Sequence, residues 1–237
     1  MEDLKYSRLE APPREPGQNN RQYAHHVLYS NIMSLNLEPG CLLSDAELSL
    51  MLGISRTPVR EAIVQLVEAR LVEVYPQRSS FVSHINLDYV EEGIFARYSI
   101  EPNVLREATS SASSADISRL KECLLLQRAA LEDERFDDYV HHDNQFHRLI
   151  YHMAGKPWTW EMITSLSTHL NRVRLLQFRA GSQTLHEGFG EHNRLFEMIV
   201  SRNLEGIDDF LQGHISSGYR AVLPVLLEKY PSYFALN

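Results

Sequence analysis

Apolar residues recur at intervals of three and four along most of the chain, the spacing that puts one face of a helix against a core. The pattern predicts a helix through Ala46 to Leu52 and a second from Ser55 onward, with Ile63, Leu66 and Val67 turned inward. Two short runs break the rule. Leu71 to Tyr75 (LVEVY) and Phe81 to Ile85 (FVSHI), separated by a turn at Pro76, suit the strands of a β-hairpin. Beyond Leu87 the helical spacing returns and predicts six helices, over 87–109, 114–133, 135–153, 157–180, 184–203 and 204–229. Breaks are expected at Ser110 to Ser114, at Gly155-Lys156-Pro157, near Gly181 and near Asn203. Residues 1–19 lack the pattern and carry Pro12, Pro13, Pro16 and Gly17, which predicts a flexible arm. The fold class is mainly α: a winged helix-turn-helix over 20–85, then an all-α helical bundle over 86–237.

The corner between the first two helices carries chemistry. Gly53 can take a positive φ and end one helix, and Ser55 stands at the N-cap of the next. Pro58 fits the first turn, where its missing N–H removes no helical bond. Arg56, Thr57 and Arg60 fall in the first turn and a half, where side chains and free backbone N–H groups can meet phosphates and base edges. An ordinary capped helix with a few exposed arginines would look the same. The hairpin that follows favours the DNA-reading alternative.

With PVREAI (58–63), the preceding EPGCLLSDAELSLMLGIS (38–55) and the wing, residues 20–85 resemble the GntR family of bacterial regulators. The resemblance implies DNA contacts from Ser55, Arg56, Thr57 and Arg60, and from a wing near Arg78 and Ser79 that tracks the minor groove or backbone. Two positions depart from the family. Ala46 stands where many members have an arginine, and Arg78-Ser79 stands where an Arg-Gly pair is usual.

Composition narrows the picture without changing it. The 237 residues, 43% hydrophobic, can fill two domains. No apolar run approaches the roughly 18 residues that span a bilayer, and the N-terminus has no signal-peptide core, so a cytoplasmic protein is expected. Cys41 and Cys123 have no metal-like or paired spacing. The net charge of −8 is spread over both parts, with 8 Lys/Arg against 10 Asp/Glu in residues 1–85. DNA binding would therefore rest on a local patch of Arg56, Arg60, Arg78 and helix N-termini, with modest non-specific affinity.

Of eleven histidines, His25, His26, His84, His141, His142, His152, His169 and His186 need no special role. Asp143 and His147 lie four residues apart on one expected helix and so share a face. His192 and His214 lie on the two helices that follow, which a bundle can bring to one interior point. One carboxylate and three imidazoles suit Zn, Ni, Mn, Co or Fe, although an i, i+4 Asp/His pair is common by chance.

DNQFHRLI (143–150), EHNRLF (191–196) and QGHISS (212–217) resemble the FCD domain that accompanies GntR-type winged helices in the FadR subfamily. The resemblance covers about residues 20–230 and implies metal ligation by Asp143, His147, His192 and His214. Arg97 with Glu101-Pro102 matches an RxxxEP pattern near the start of the first FCD helix, which implies that Arg97 can hold an effector carboxylate. A plain Arg97–Glu101 salt bridge is the alternative. Arg172 and Arg174 are weaker candidates, since they could form a solvated face. Lys156 replaces the family's usual asparagine after Ala-Gly.

These features imply a homodimeric regulator that reads a near-palindromic double-stranded operator and senses a small organic acid through a divalent metal, with zinc first. A purely structural metal with no effector is one rival. A metal-dependent enzyme is another, weakly supported. His186-Glu187 lacks the second histidine of HExxH, because Gly190 stands there. The positions three before His147, His192 and His214 are Asn144, Phe189 and Leu211, not the glutamates of di-iron bundles.

Overall fold

Asn19 opens the first helix, α1 (Asn20–Met33), through a capping box with Gln22. The structure, a computed structural model, describes residues 6–75, 79–179 and 184–235. It divides into two units, Met1–Leu87 with Tyr230–Asn237, and Asp88–Lys229.

In the first unit α1 is followed by β1 (Leu42–Leu43), α2 (Asp45–Leu52), α3 (Arg56–Glu68), β2 (Val72–Val74) and β3 (Ser80–Val82). The strands form one antiparallel sheet in the order β1-β3-β2, with Leu42 opposite Phe81 and Val72 opposite Val82. The hairpin was legible from its alternation, whereas β1 is two residues long and left no pattern to read. Gly53 has φ 63° and ends α2 as expected. Ser55 is the N-cap of α3 but makes no side-chain capping bond. Val59, Ala62, Ile63 and Leu66 bury against α1 and the sheet, while Val67 is 37% exposed, contrary to expectation. Residues 56–66 set the helix phase, and Val67 lies at its edge. The Pro76 turn and Arg78 lie outside the described residues.

The arm expected to be flexible is tied down from residue 6 onward. The Tyr6 hydroxyl donates to the Leu42 carbonyl (2.9 Å) and accepts from the Ser44 N–H (2.8 Å). Asn31, 2% exposed on α1, exchanges two bonds of 2.8 Å with the backbone of Glu10. A segment without apolar periodicity is thus ordered by side chains that satisfy its backbone, with Tyr6 and Leu9 packed on the core. The end of the chain also departs from the expected boundary at 86. Ile85 N–H donates to Tyr233 (2.8 Å), Ala235 N–H donates to Ile85 (3.0 Å), and Ile85 and Phe234 are both buried. Residues 230–235 therefore belong with the winged helix, drawn there by the burial of Phe234.

The second unit is helical: α4 (Leu87–Ser111), α5 (Ser114–Glu132), α6 (Phe136–Met153), α7 (Pro157–Leu166), α8 (Thr168–Arg179), α9 (Thr184–Ser201) and α10 (Ile207–Lys229). The helix expected over 157–180 is two. Ser167 interrupts it, its N–H shared between the carbonyls of Ile163 and Thr164. The corner sits against α4 at Gly93, where any Cβ would lie 3.2 Å from the Leu166 carbonyl oxygen, so the close approach needs glycine.

Candidate functional sites

At the first turn of α3, Ser55, Arg56, Thr57 and Arg60 are all exposed, with the helix N-terminus behind them. Arg60 is not a free cation: its Nε pairs with the Asp45 carboxylate at the start of α2. Sequence spacing gave no hint of that partner, fifteen residues away. Ser79 is half-buried at the wing, where its carbonyl accepts from Tyr75 N–H at 3.5 Å.

In the helical unit, α6 supplies Asp143 and His147, α9 supplies His192 and α10 supplies His214. One ring nitrogen from each histidine lies within 4.8 Å of the other two. Asp143 Oδ1 is 3.3 Å from His192 Nε2. The four residues that the sequence singled out meet at one point. Asp143, His147 and His192 are nearly sealed from solvent, Asp143 and His192 at 1% exposure, while His214 is half-buried.

The polar atoms there fall into two groups. Asp143 Oδ1, His147 Nε2 and His192 Nε2 are buried without a hydrogen bond, and each orphaned atom costs about 1–3 kcal/mol. The remaining atoms are committed outward. His192 Nδ1 lies 2.7 Å from Gln127 Oε1, and Gln127 Nε2 donates to the His142 carbonyl (3.3 Å), which fixes the amide so that its oxygen faces the ring. His214 Nδ1 donates to Glu191 Oε2 (2.7 Å). Both rings thereby carry the proton on Nδ1 and leave the Nε2 lone pair for a metal, the usual task of a carboxylate or amide behind a ligating histidine. Arg174 Nη2 donates to Asp143 Oδ2 (2.6 Å), leaving Oδ1 open.

Electrostatics agree with this division. Burial, only partly countered by Asp143, pushes His192 down to about 3 and His147 well below its ordinary value, so both stay neutral. Burial alone would raise Asp143, but Arg174 and the adjacent rings outweigh it and hold the carboxyl below its usual range. A neutral imidazole and an ionised carboxylate are the forms a metal needs. The donor set therefore fits a borderline divalent ion such as zinc.

Beside the cluster is a cavity of about 90 Å³, lined by Asp143, His192 and His214 together with Arg97, Tyr139 and Arg174. Arg97 makes the salt bridge that the sequence offered as the plainer alternative. Its Nε binds Glu101 Oε1 at 2.7 Å in a buried pair while its guanidinium lines the cavity. Arg174 is part of the site, and Arg172 is fully buried with Nη2 2.9 Å from His169 Nδ1, so neither forms a solvated face. Gln127 and Glu191 were missed from sequence. Glu191 adjoins His192 in EHNRLF, but Gln127 reaches its ring across 65 positions and left no signal.

Comparison with known proteins identifies both units. Residues 22–82 match the family model described as bacterial regulatory proteins, gntR family, and residues 92–217 match the FCD domain. The HTH-type transcriptional repressor RspR of Escherichia coli K12 is 31% identical over 200 residues, covering 84% of this chain and 87% of that protein. An HTH-type regulator of Streptomyces ambofaciens is 29% identical over 190 residues, 78% of this chain and 77% of its own. Among solved structures, Escherichia coli McbR/YncC superposes with a TM-score of 0.73 at 21% identity, over 90% of this chain and 99% of that one, which shows the shared fold. These families and relatives are regulators of transcription, not enzymes. No helix among the described residues is long and apolar enough to cross a membrane. The chain belongs to the GntR family of bacterial transcriptional regulators, with an N-terminal helix-turn-helix DNA-binding domain and a C-terminal FCD domain.

Proposed function

We propose that this cytoplasmic regulator binds a near-palindromic operator as a homodimer and that its FCD domain holds a divalent metal, zinc foremost, through Asp143, His147, His192 and His214. The observation that carries the reading is the convergence of three buried polar atoms that make no hydrogen bond, Asp143 Oδ1, His147 Nε2 and His192 Nε2. Metal–nitrogen bonds of about 2.1 Å limit donor separations to roughly 4.2 Å, so binding would draw the histidines slightly inward. Such closure pulls on α6, α9 and α10 together. The adjoining cavity favours coordination positions left open, where an effector carboxylate replaces water and meets Arg97 and Arg174. On the DNA side, Ser55, Arg56, Thr57 and Arg60 face the major groove, with Arg78 and Ser79 of the wing on the backbone or minor groove. Two half-sites about 34 Å apart make operator affinity sensitive to the separation of the two reading helices.

Elemental analysis of the purified protein and of Asp143→Ala and His214→Ala variants tests the site. About one metal per chain is expected in the parent and little in either variant. Equal content in all three rejects it.

A further inference from the structure

A second, smaller cavity, about 20 Å³, adjoins the site and has room for one or two water-sized groups. Arg97, His147 and Arg174 line it from the metal side, and Thr164, Ser167 and Asn171 from the α7–α8 corner. Arg97 and Arg174 also line the larger cavity, so the two spaces share one pair of guanidinium groups.

Two hydroxyls in this lining are unsatisfied. Thr164 Oγ1 and Ser167 Oγ are buried with no hydrogen-bond partner, and Ser167 is only 3% exposed. That is unusual on a helix, where serine and threonine readily donate to the carbonyl one turn back. Thr109 does so to Leu105 (2.7 Å), and Ser216 does so to Gln212 (2.7 Å). Thr164 and Ser167 forgo that bond. Their positions are fixed, because the Ser167 backbone is held to Ile163 (3.0 Å) and Asn171 N–H is held to Ser167 (2.8 Å). The same corner packs closely on Gly93.

We infer that this cavity is a subsite for a hydroxyl group of the effector, so that the acid sensed is a hydroxy acid. The inference rests on the metal-and-carboxylate reading above. The carboxylate lies at the metal and the shared arginines, and the hydroxyl reaches Thr164 Oγ1 and Ser167 Oγ. A hydroxyl both donates and accepts, which matches two hydroxyls and the Asn171 amide. A methylene in the same place leaves the buried hydroxyls unpaired, and sites built around a substrate hydroxyl discriminate strongly against analogues without one.

The test uses metal-loaded full-length protein and calorimetric titration with matched acids: lactate against propionate, malate against succinate, and gluconate against hexanoate. At least one hydroxy acid should bind tenfold or more tightly than its partner. A hydroxy acid can also gain by chelating the metal, so the variants decide. Thr164→Val with Ser167→Ala should cut the ratio to threefold or less while leaving metal content and affinity for the plain acid unchanged. Thr164→Ser, which keeps the hydroxyl, should retain the preference. Equal binding within every pair, or a ratio that survives in the double variant, overturns the subsite while leaving carboxylate sensing intact. If no acid of either kind binds, carboxylate sensing fails and the subsite falls with it.

Discussion

Arginine does opposite work in the two halves of this molecule. On α3, Arg56 is exposed at a helix start whose core neighbours are apolar and fully packed. In the FCD domain Arg97 is 7% exposed, paired with a buried Glu101 and aimed into a cavity beside a cluster of imidazoles. The contrast separates two ways of building a binding surface. A reading helix displays its charges in water, where they cost little and wait for phosphates. A sensor buries its charges and leaves atoms unpaired, so that ligand binding has a large local effect on stability.

The sharpest way to break the comparison is to truncate one arginine from each half. Arg97→Ala strands the Glu101 carboxylate and should destabilise the FCD domain by about 3–5 kcal/mol in urea unfolding. A loss below about 1 kcal/mol would mean that Glu101 finds another partner. The next effect is on pH. His192 sits near 3 and His147 is well below its ordinary value through burial, while in the unfolded chain both titrate near 6.5. As pH falls below about 6.5 the unfolded chain takes up protons that the folded one refuses, so stability is lost. Asp143, which burial would raise but Arg174, His192 and His147 hold low, adds a further loss once pH passes below about 4. Chelated protein should therefore melt progressively lower from pH 7 to pH 4. A flat profile would contradict the buried neutral imidazoles.

Arg56→Ala is the smallest in stability, within about 0.5 kcal/mol. It should nonetheless weaken operator binding by about 1–3 kcal/mol in fluorescence anisotropy at fixed salt. Unchanged affinity would remove Arg56 from the interface.

What the sequence made legible follows the same divide. The α2–α3 corner depends on local rules, a glycine at φ 63° and a proline in the first turn, and those were readable. The candidate residues of the acid-and-imidazole cluster were legible for a different reason: His147, His192 and His214 stand in segments that resemble a known domain, although spacing alone left the set open. Long-range pairing was invisible. Nothing near Tyr6 announces that its hydroxyl bridges Leu42 and Ser44, and nothing near Phe234 announces Ile85. The break at Ser167 was missed because α7 and α8 continue one apolar rhythm through it. The packing of Gly93 against Leu166 is a tertiary fact.

The central claim is that the buried acid-and-imidazole cluster sets how firmly α3 holds DNA. Its most direct test is anisotropy titration of an operator fragment with metal-loaded protein, with and without a saturating amount of the tightest-binding acid from the matched panel. The expected result is a change in Kd of roughly 5- to 150-fold, the span of a coupling of about 1–3 kcal/mol, abolished in His214→Ala. Identical Kd values with and without the acid, in protein shown to bind it, would contradict the claim.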